Sequence, residues 1–487
     1  VADYLKNQLI TYIGNKRALL PFLEPLLRSL REACSGTPLF LDAFAGSGSV
    51  SRLARTLGYA VHANDWEPYA QTMNTAYLTL SPSQLPDLFR SVGGLEKTLA
   101  RLNSLTTPRE EFIARWYAPR STVDADWRTE RLFYTRENAL WLDAVRERLD
   151  ELDLGNNART LLLALLVYEA SVHANTNGVF KAFHKGFGGH GRDALTRILA
   201  PMKLEQPSLW ESSAGAAVSR LDAEQFLRSR SGDVVYLDPP YNQHQYGSNY
   251  HLLNTVVLGD RFVPQAKAGI RKDWVQTRSA FCSRRTAPGA IEGLLNAIDA
   301  RTLLVSYNTE GLVPFDELYE LLSARGKVDL LVQDYVTYRG GRQSPHRRAH
   351  NLEFVLVVDT HKPARSGNEA SIRRFLAQKR LSTLVRGAFF PDRLRKHFKV
   401  SDGELLVEGH CWTLDGGYRI APAPDLSDWT IDELTRAGKE LEHCACPSHP
   451  EEFALLVPLV ASLPAGAARR RWVRRMALVL KKFAFRQ

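Results

Sequence analysis

The most chemically specific residues of this chain are four in a row, Asp238-Pro239-Pro240-Tyr241, directly after the apolar run Val234-Val235-Tyr236-Leu237. A carboxylate and a backbone carbonyl held side by side offer two acceptors to one NH2 group. Consecutive prolines fix the backbone and remove competing N–H donors, so the Pro239 carbonyl can be aimed. An exocyclic amine such as that of adenine is a poor nucleophile, because its lone pair is delocalised into the ring. Two acceptors favour a more tetrahedral nitrogen and free that lone pair for attack on an electrophile held in line. The Tyr241 ring adds a face on which an extruded base can stack. The plain alternative is a proline-terminated strand followed by a loop, and a second motif upstream weighs against it.

That motif is Asp42-Ala43-Phe44-Ala45-Gly46-Ser47-Gly48-Ser49, placed after the apolar run Leu39-Phe40-Leu41 and before a helical pattern. Glycines there let the backbone turn sharply and approach a ligand, and a carboxylate at a strand end can hold a polar group. Asp65 ends the next strand, where an acid accepts hydrogen bonds from ribose hydroxyls; capping the following helix is its other reading. The two features in register point to a nucleoside-containing cofactor. The dinucleotide pattern GxGxxG is not met, since its third glycine would fall on Ser51. The Asp-x-Phe-x-Gly-x-Gly form instead resembles the S-adenosylmethionine loop of methyltransferases, which has no pyrophosphate to cradle.

With Tyr12-Ile13-Gly14-Asn15-Lys16-Arg17 near the N-terminus, then the glycine loop, a long insertion and Asp-Pro-Pro-Tyr, the chain resembles the D12 class of N6-adenine DNA methyltransferases. This is the class of the Dam enzymes, and the likeness is greatest to its FokI-type members, over residues 8–360. Cytosine-N4 enzymes usually carry Ser in place of the Asp, and the Pro-Cys nucleophile of C5 enzymes is not found. The resemblance implies an α/β, Rossmann-like methyltransferase fold, with a mixed seven-stranded sheet and helices on both faces. It implies site-specific transfer of a methyl group from S-adenosyl-L-methionine to N6 of a flipped adenine in double-stranded DNA. By the same resemblance Tyr12 and Lys16 contact the cofactor; Asp42, Phe44, Gly46 and Gly48 form its loop; Asp65 binds its ribose and Asp222 lies near its adenine. Asp238, Pro239, Pro240 and Tyr241 are the catalytic motif. Tyr246 and Tyr250, in Gln245-Tyr246-Gly247-Ser248-Asn249-Tyr250-His251, correspond to residues lining the base pocket. For Asp222 and Tyr246 the bland readings, helix cap and loop packing, stay open.

The elements that must position these residues are legible as patterns. Apolar spacing predicts a helix over 16–33, a strand over 39–42, a helix from about Ser49 and a strand over 60–63. Helical patterns at 130–152 and 158–172 follow within the insertion. Strands are expected at 216–220, 234–237, 302–306, 328–335 and 352–358, with a helix at 314–325. Such alternation argues a mostly parallel sheet covered on both faces. A Pro/Arg/Ser/Gly stretch at 360–370 reads as a linker. The expected organisation is a methyltransferase domain from 1–66 and 201–360, an inserted target-recognition region at 67–200, and a basic C-terminal domain at 365–487.

DNA contacts are expected from the insertion loop Asn175–His190, through Asn177, Lys181, Lys185 and its phenylalanines, and from a Gly/Arg segment carrying Arg339 and Arg342. The formal net charge is +10, from 63 Lys and Arg against 53 Asp and Glu. Residues 365–487 hold 21 against 14, so most of the excess lies outside the resemblance. Much of it is in Arg393-Leu394-Arg395-Lys396 and in Arg469-Arg470-Arg471-Trp472-Val473-Arg474-Arg475, whose helical spacing suits a DNA-contacting face or a solvated one. Charge alone does not separate DNA from RNA as substrate. Five scattered cysteines fit a reducing cytoplasm, with no signal peptide and no apolar run long enough to span a membrane. His443-Cys444-Ala445-Cys446 lacks the usual zinc spacing, and no metal is expected. Any cognate restriction enzyme is expected on a separate chain; the sequence does not specify an oligomeric state.

Overall fold

In the computed structural model, which describes residues 1–11, 13–105, 111–189, 194–308, 311–335, 351–363, 368–446 and 449–484, the expected alternation is present. The strands are β1 (Leu39–Asp42), β2 (Ala60–Asn64), β3 (Ala216–Ser219), β4 (Ser231–Leu237), β5 (Asp299–Asn308), β6 (Lys327–Tyr335) and β7 (Asn351–Asp359). They form one mixed sheet in the order β3-β2-β1-β4-β5-β7-β6, with β3, β2, β1, β4 and β5 mutually parallel. Register pairs Asp42 with Ala63 on one side and with Tyr236 on the other. The central strands are buried on both faces, which is why Val234–Leu237 reads as continuous apolar chain.

Strand order explains the site. The chain winds outward from β1 to β2 and β3, then returns across β1 to lay down β4. The carboxyl ends of β1 and β4 therefore flank the point where winding reverses, and a crevice opens there. Asp42 and Asp238 stand at those two ends; Asp65 and Asp222 follow β2 and β3.

Local chemistry sets the helix boundaries. The expected helix at 16–33 starts as a 3-10 turn, Lys16–Leu19, capped by the Asn15 side chain, and becomes α-helical over Leu20–Glu32. The pattern at 130–152 yields a helix only from Arg136, because the Thr135 hydroxyl accepts from the Asn138 N–H and fixes the start. The helix expected at 158–172 is Asn156–Val172, buried all round through Leu161–Val167. Its apolar core runs on into residues from the N-terminal segment, such as Tyr4 and Ile10, and into Tyr250, Leu252 and Leu253.

The chain divides into two compact units: Val1–Lys327 with Val355–Pro363, and Val328–Phe354 with Ala364–Gln487. The second contains an antiparallel sheet of β8 (Lys399–Ser401), β9 (Glu404–Val407), β10 (His410–Asp415) and β11 (Arg419–Ile420). Helices Asn368–Leu384 and Ile431–Cys444 pack in the same unit, around Trp412 and Trp429, whose rings lie 5.4 Å apart. Among the described residues no helix is long and apolar enough to cross a membrane.

Candidate active site

The glycine loop leaves β1 at Asp42 and enters the helix Ser49–Thr56 through Gly48, whose φ is +79°. Asp65, from the end of β2, holds the loop: its Oδ2 accepts from the Gly46 N–H at 2.8 Å and its Oδ1 from the Glu67 N–H at 3.0 Å. Asn74 closes the other side, its Nδ2 donating to the Gly46 carbonyl at 3.1 Å and to the Ala70 carbonyl at 2.9 Å. Asn64 ties two strand ends together, donating to the carbonyls of Ala43 and Leu221 and accepting from the Leu221 N–H.

Asp42 is buried, with Oδ2 accepting from the Ser51 hydroxyl at 2.6 Å, and its Oδ1 has no hydrogen-bond partner among the described residues. Ser51 occupies the position where a dinucleotide loop would need glycine, and here its side chain is what holds Asp42. Burial pushes the Asp42 carboxyl up to about 7, opposed by the Ser51 bond and reinforced by the nearby charge of Asp238. Asp65 is pushed up to about 6 by burial, against the backbone N–H groups it accepts.

The Asp238–Tyr241 motif meets the N-terminal segment. Lys16, itself buried, places Nζ 3.1 Å from Asp238 Oδ1 and 5.1 Å from the centre of the Tyr241 ring. The resemblance sets Lys16 against the cofactor, and here it also forms an ion pair with Asp238. Two tyrosines position it by gripping one peptide. The Tyr250 hydroxyl accepts from the Ile13 N–H at 2.7 Å, and the Tyr246 hydroxyl donates to the Ile13 carbonyl at 3.2 Å. Their rings are nearly parallel, 6.0 Å apart. Gly14 follows at φ +75°, where a Cβ would lie 3.2 Å from the Tyr241 hydroxyl. Tyr250 is wholly buried, so it holds this segment and does not line a base pocket. Tyr246 holds the same segment and also lines a cavity.

That cavity, roughly 1100 Å³ counting its open mouth, runs from Gly14 and the catalytic motif past Asp65 to Asp222. Asp222 fills its bland role as well, its Oδ1 accepting from the N–H groups of Glu224 and Gln225 at the start of the helix Ala223–Arg228. The Phe44 ring meets Phe281 edge-on at 5.3 Å. Glu67 also lines the cavity, buried and bonded to Asn254 Nδ2 at 2.6 Å; burial pushes it up to about 7. Glu67, Asn74 and the lining stretch 277–281 escaped sequence reasoning. Only Glu67 left a signal, an acid two residues beyond Asp65.

The residues assigned to DNA lie elsewhere. Asn177, Lys181 and Lys185 are exposed on the insertion loop, with Lys185 Nζ 4.5 Å from the Trp127 ring centre. The buried Asn175 anchors that loop, donating to the Leu132 carbonyl at 2.9 Å and accepting from the Gly188 N–H at 3.2 Å. Phe180 is buried in the core and does not wedge into a base stack. Tyr12, Arg339 and Arg342 lie outside the described residues. In the helix Ala467–Ala484, Arg471 pairs with Asp415 and Arg475 with Glu452, while Trp472 is buried against Tyr418. The Arg-rich face is thus smaller than its spacing implied, leaving Arg469, Arg470 and Arg474 exposed.

Comparison with known proteins meets this geometry from the other direction. The sequence profile described as D12 class N6 adenine-specific DNA methyltransferase matches residues 12–314. The chain is 34% identical over 357 residues to the type II methyltransferase M.NlaIII of Neisseria lactamica, spanning 72% of this chain and 99% of that protein. It is 28% identical over 355 residues to the modification methylase LlaI of Lactococcus lactis (71% of this chain, 54% of that protein). It is 25% identical over 359 residues to the type II methyltransferase M.FokI of Planomicrobium okeanokoites (72% and 52%), so the chain matches about half the length of these last two. The matched stretch holds the glycine loop, the Asp238–Tyr241 motif and the cavity between them, and the chain belongs to the D12 class of N6 adenine-specific DNA methyltransferases.

Proposed function

We propose that this chain methylates N6 of an adenine flipped out of double-stranded DNA at a specific sequence, with S-adenosyl-L-methionine as methyl donor. The observation that carries this reading is the meeting of Asp238 and Pro239 with an acid-lined cavity at the reversal point of the sheet. The cofactor fits the residues present. Five carboxylates line the cavity, a setting that favours a sulfonium cation. Asp65 would accept from the ribose hydroxyls, Asp222 with Phe44 and Phe281 would hold the adenine ring, and Gly46 and Gly48 would let the loop approach. Bound there, the cofactor supplies an electrophilic methyl carbon on a cationic sulfur.

The protein's own part is orientation and electrostatics. Asp238 and the Pro239 carbonyl accept from the two N6 hydrogens and so turn the nitrogen lone pair toward the donor. Lys16 at 3.1 Å keeps Asp238 in place, and Tyr241 offers its ring to the extruded base. As the N–C bond forms, the S–CH3 bond would break to leave a neutral thioether; the amine gains the positive charge, which the Asp238 carboxylate stabilises before one N6 proton passes to solvent. The insertion 67–200 is assigned to target recognition, with the enzyme working on DNA in the cytoplasm. The test is sequencing that detects N6-methyladenine in DNA from cells expressing the chain. Methylation at one recurring sequence is expected; unmodified DNA with methylated RNA would replace the substrate.

The C-terminal domain is assigned to DNA through Arg469, Arg470 and Arg474. Replacing all three with Gln is expected to flatten the salt dependence of DNA affinity by up to about 0.9 in log–log slope per arginine that meets phosphate. An unchanged slope would show that this face stays in water.

A further inference from the structure

A cavity that takes an extruded base needs a place for the phosphates of its strand. Its wall carries Asp65, Glu67, Asp222, Glu224 and Asp238, and among the described residues Arg278 is the one cation lining it. A base extruded into the cavity stays tethered through its sugar to two phosphates, which must then rest at the mouth. Cations at the mouth would hold those phosphates and so the strand that has to deliver the base.

The mouth has such cations on a segment that no motif marked. Arg278 is exposed and sits within the lining stretch Thr277–Phe281. Arg284 and Arg285 ride the turn that follows. This turn is closed by the N–H groups of Thr286 and Ala287 donating to the Ser283 carbonyl at 3.1 and 2.8 Å, and by the Thr286 hydroxyl donating to the Ala280 carbonyl at 2.5 Å. Ala280 before the turn and Ala290 after it both line the cavity, so the exposed turn joins two lining stretches. All three guanidinium groups are without an ion-pair or side-chain hydrogen-bond partner among the described residues. Arg271, a few residues earlier, shows the contrast: it is buried and gripped by Asp260 and Asp273.

The segment is also held still. Gln245, in the loop after the catalytic motif, brackets Ser279, accepting from its N–H at 2.8 Å and donating to its carbonyl at 3.1 Å. The Cys282 thiol donates to the His244 carbonyl at 3.3 Å, and Phe281 packs on Phe44 of the glycine loop. Any group bound by these arginines is thereby referred to the catalytic motif itself, at little ordering cost.

We infer that Arg278, Arg284 and Arg285 form a phosphate clamp at the cavity mouth, gripping the DNA backbone on either side of the extruded adenine. This rests on DNA being the substrate. Backbone contact carries no sequence information, so the clamp acts on every duplex alike.

The experiment uses the full chain and a duplex of about 30 base pairs of arbitrary sequence, with affinity measured between about 50 and 200 mM salt. For Arg284→Gln/Arg285→Gln the log–log slope is expected to fall by about 2, and for Arg278→Gln by about 1. For Arg284→Gln/Arg285→Gln, which lie outside the cavity lining, melting temperature, KM for S-adenosyl-L-methionine and kcat at saturating DNA are expected to stay at wild-type values. Arg284→Lys/Arg285→Lys keeps the charge and is expected to retain the wild-type slope, which separates lost charge from lost fold. An unchanged slope in the Gln variants, with wild-type duplex binding intact, overturns the clamp alone. A raised KM for the cofactor with an unchanged slope in Arg278→Gln moves that arginine to the cofactor and also overturns it. Failure of the wild type to bind duplex overturns the DNA reading itself, and the clamp with it.

Discussion

Asp238→Ala is expected to lower kcat for methyl transfer by on the order of 10³-fold while leaving DNA affinity within a few-fold of wild type. Removing one preorganised polar partner of a reacting group costs about 3–4 kcal/mol of transition-state stabilisation, and each ~1.4 kcal/mol is tenfold in rate. Here the loss is compounded, because Lys16 stands 3.1 Å from the same carboxylate and would be left buried without it. An unpaired buried charge costs about 3–5 kcal/mol of stability, so the substitution is compared with Asp238→Asn, which keeps the shape and one acceptor oxygen. Asn keeps the acceptor but lacks the negative charge that stabilises the amine as it becomes cationic, and kcat is still expected to fall by about 10²-fold or more. Transfer of a labelled methyl group at saturating DNA and cofactor measures the rate, and fluorescence anisotropy the binding. Residual turnover above about a tenth of wild type in Asp238→Ala would remove this carboxylate from the mechanism.

Gly48→Ala is expected to weaken cofactor binding by about 30-fold or more, equivalent to about 2 kcal/mol. Gly48 sits at φ +79°, a conformation that costs a side-chain-bearing residue about 1–2 kcal/mol. A Cβ would also be driven into Asn74 Oδ1. Asn74 cannot swing away cheaply, since its Nδ2 holds the carbonyls of Gly46 and Ala70. Overpacking of this kind adds about 1–3 kcal/mol, and the strain falls on the one loop that must approach the ligand. Titration calorimetry with S-adenosyl-L-methionine reads the affinity, and thermal melting reads the share of the cost paid in stability. Wild-type affinity in a variant that melts normally would show that the loop does not carry the cofactor.

The strands were legible because each is written locally. Leu39–Asp42 and Ala60–Asn64 fall where apolar runs end in Asp42 and in Asn64-Asp65, and Asp238-Pro239 stops β4 because proline cannot continue a ladder. The basic helix at the C-terminus was only half legible. Spacing showed its arginines, but not that Asp415 and Glu452 would take two of them. Charge counting misses this, because pairing depends on which elements are brought together. The same limit hid the strip Arg278–Arg285, whose sequence carries no motif and whose role rests on the two lining stretches it joins.

By itself, then, the sequence determined the chemistry: a carboxylate and a fixed carbonyl after one strand, a glycine loop after another, and an acid at the end of a third. Those features depend on residue type and short spacing, which the chain states directly. The tertiary structure alone decided the partners. Ile13 and Tyr250, 237 positions apart, meet because the sheet reverses its winding between β1 and β4 and brings the N-terminal segment over the catalytic motif. Lys16 came to pair with Asp238, Ser51 to hold Asp42, and Tyr250 to serve as a buried grip, through contacts that no local pattern encodes.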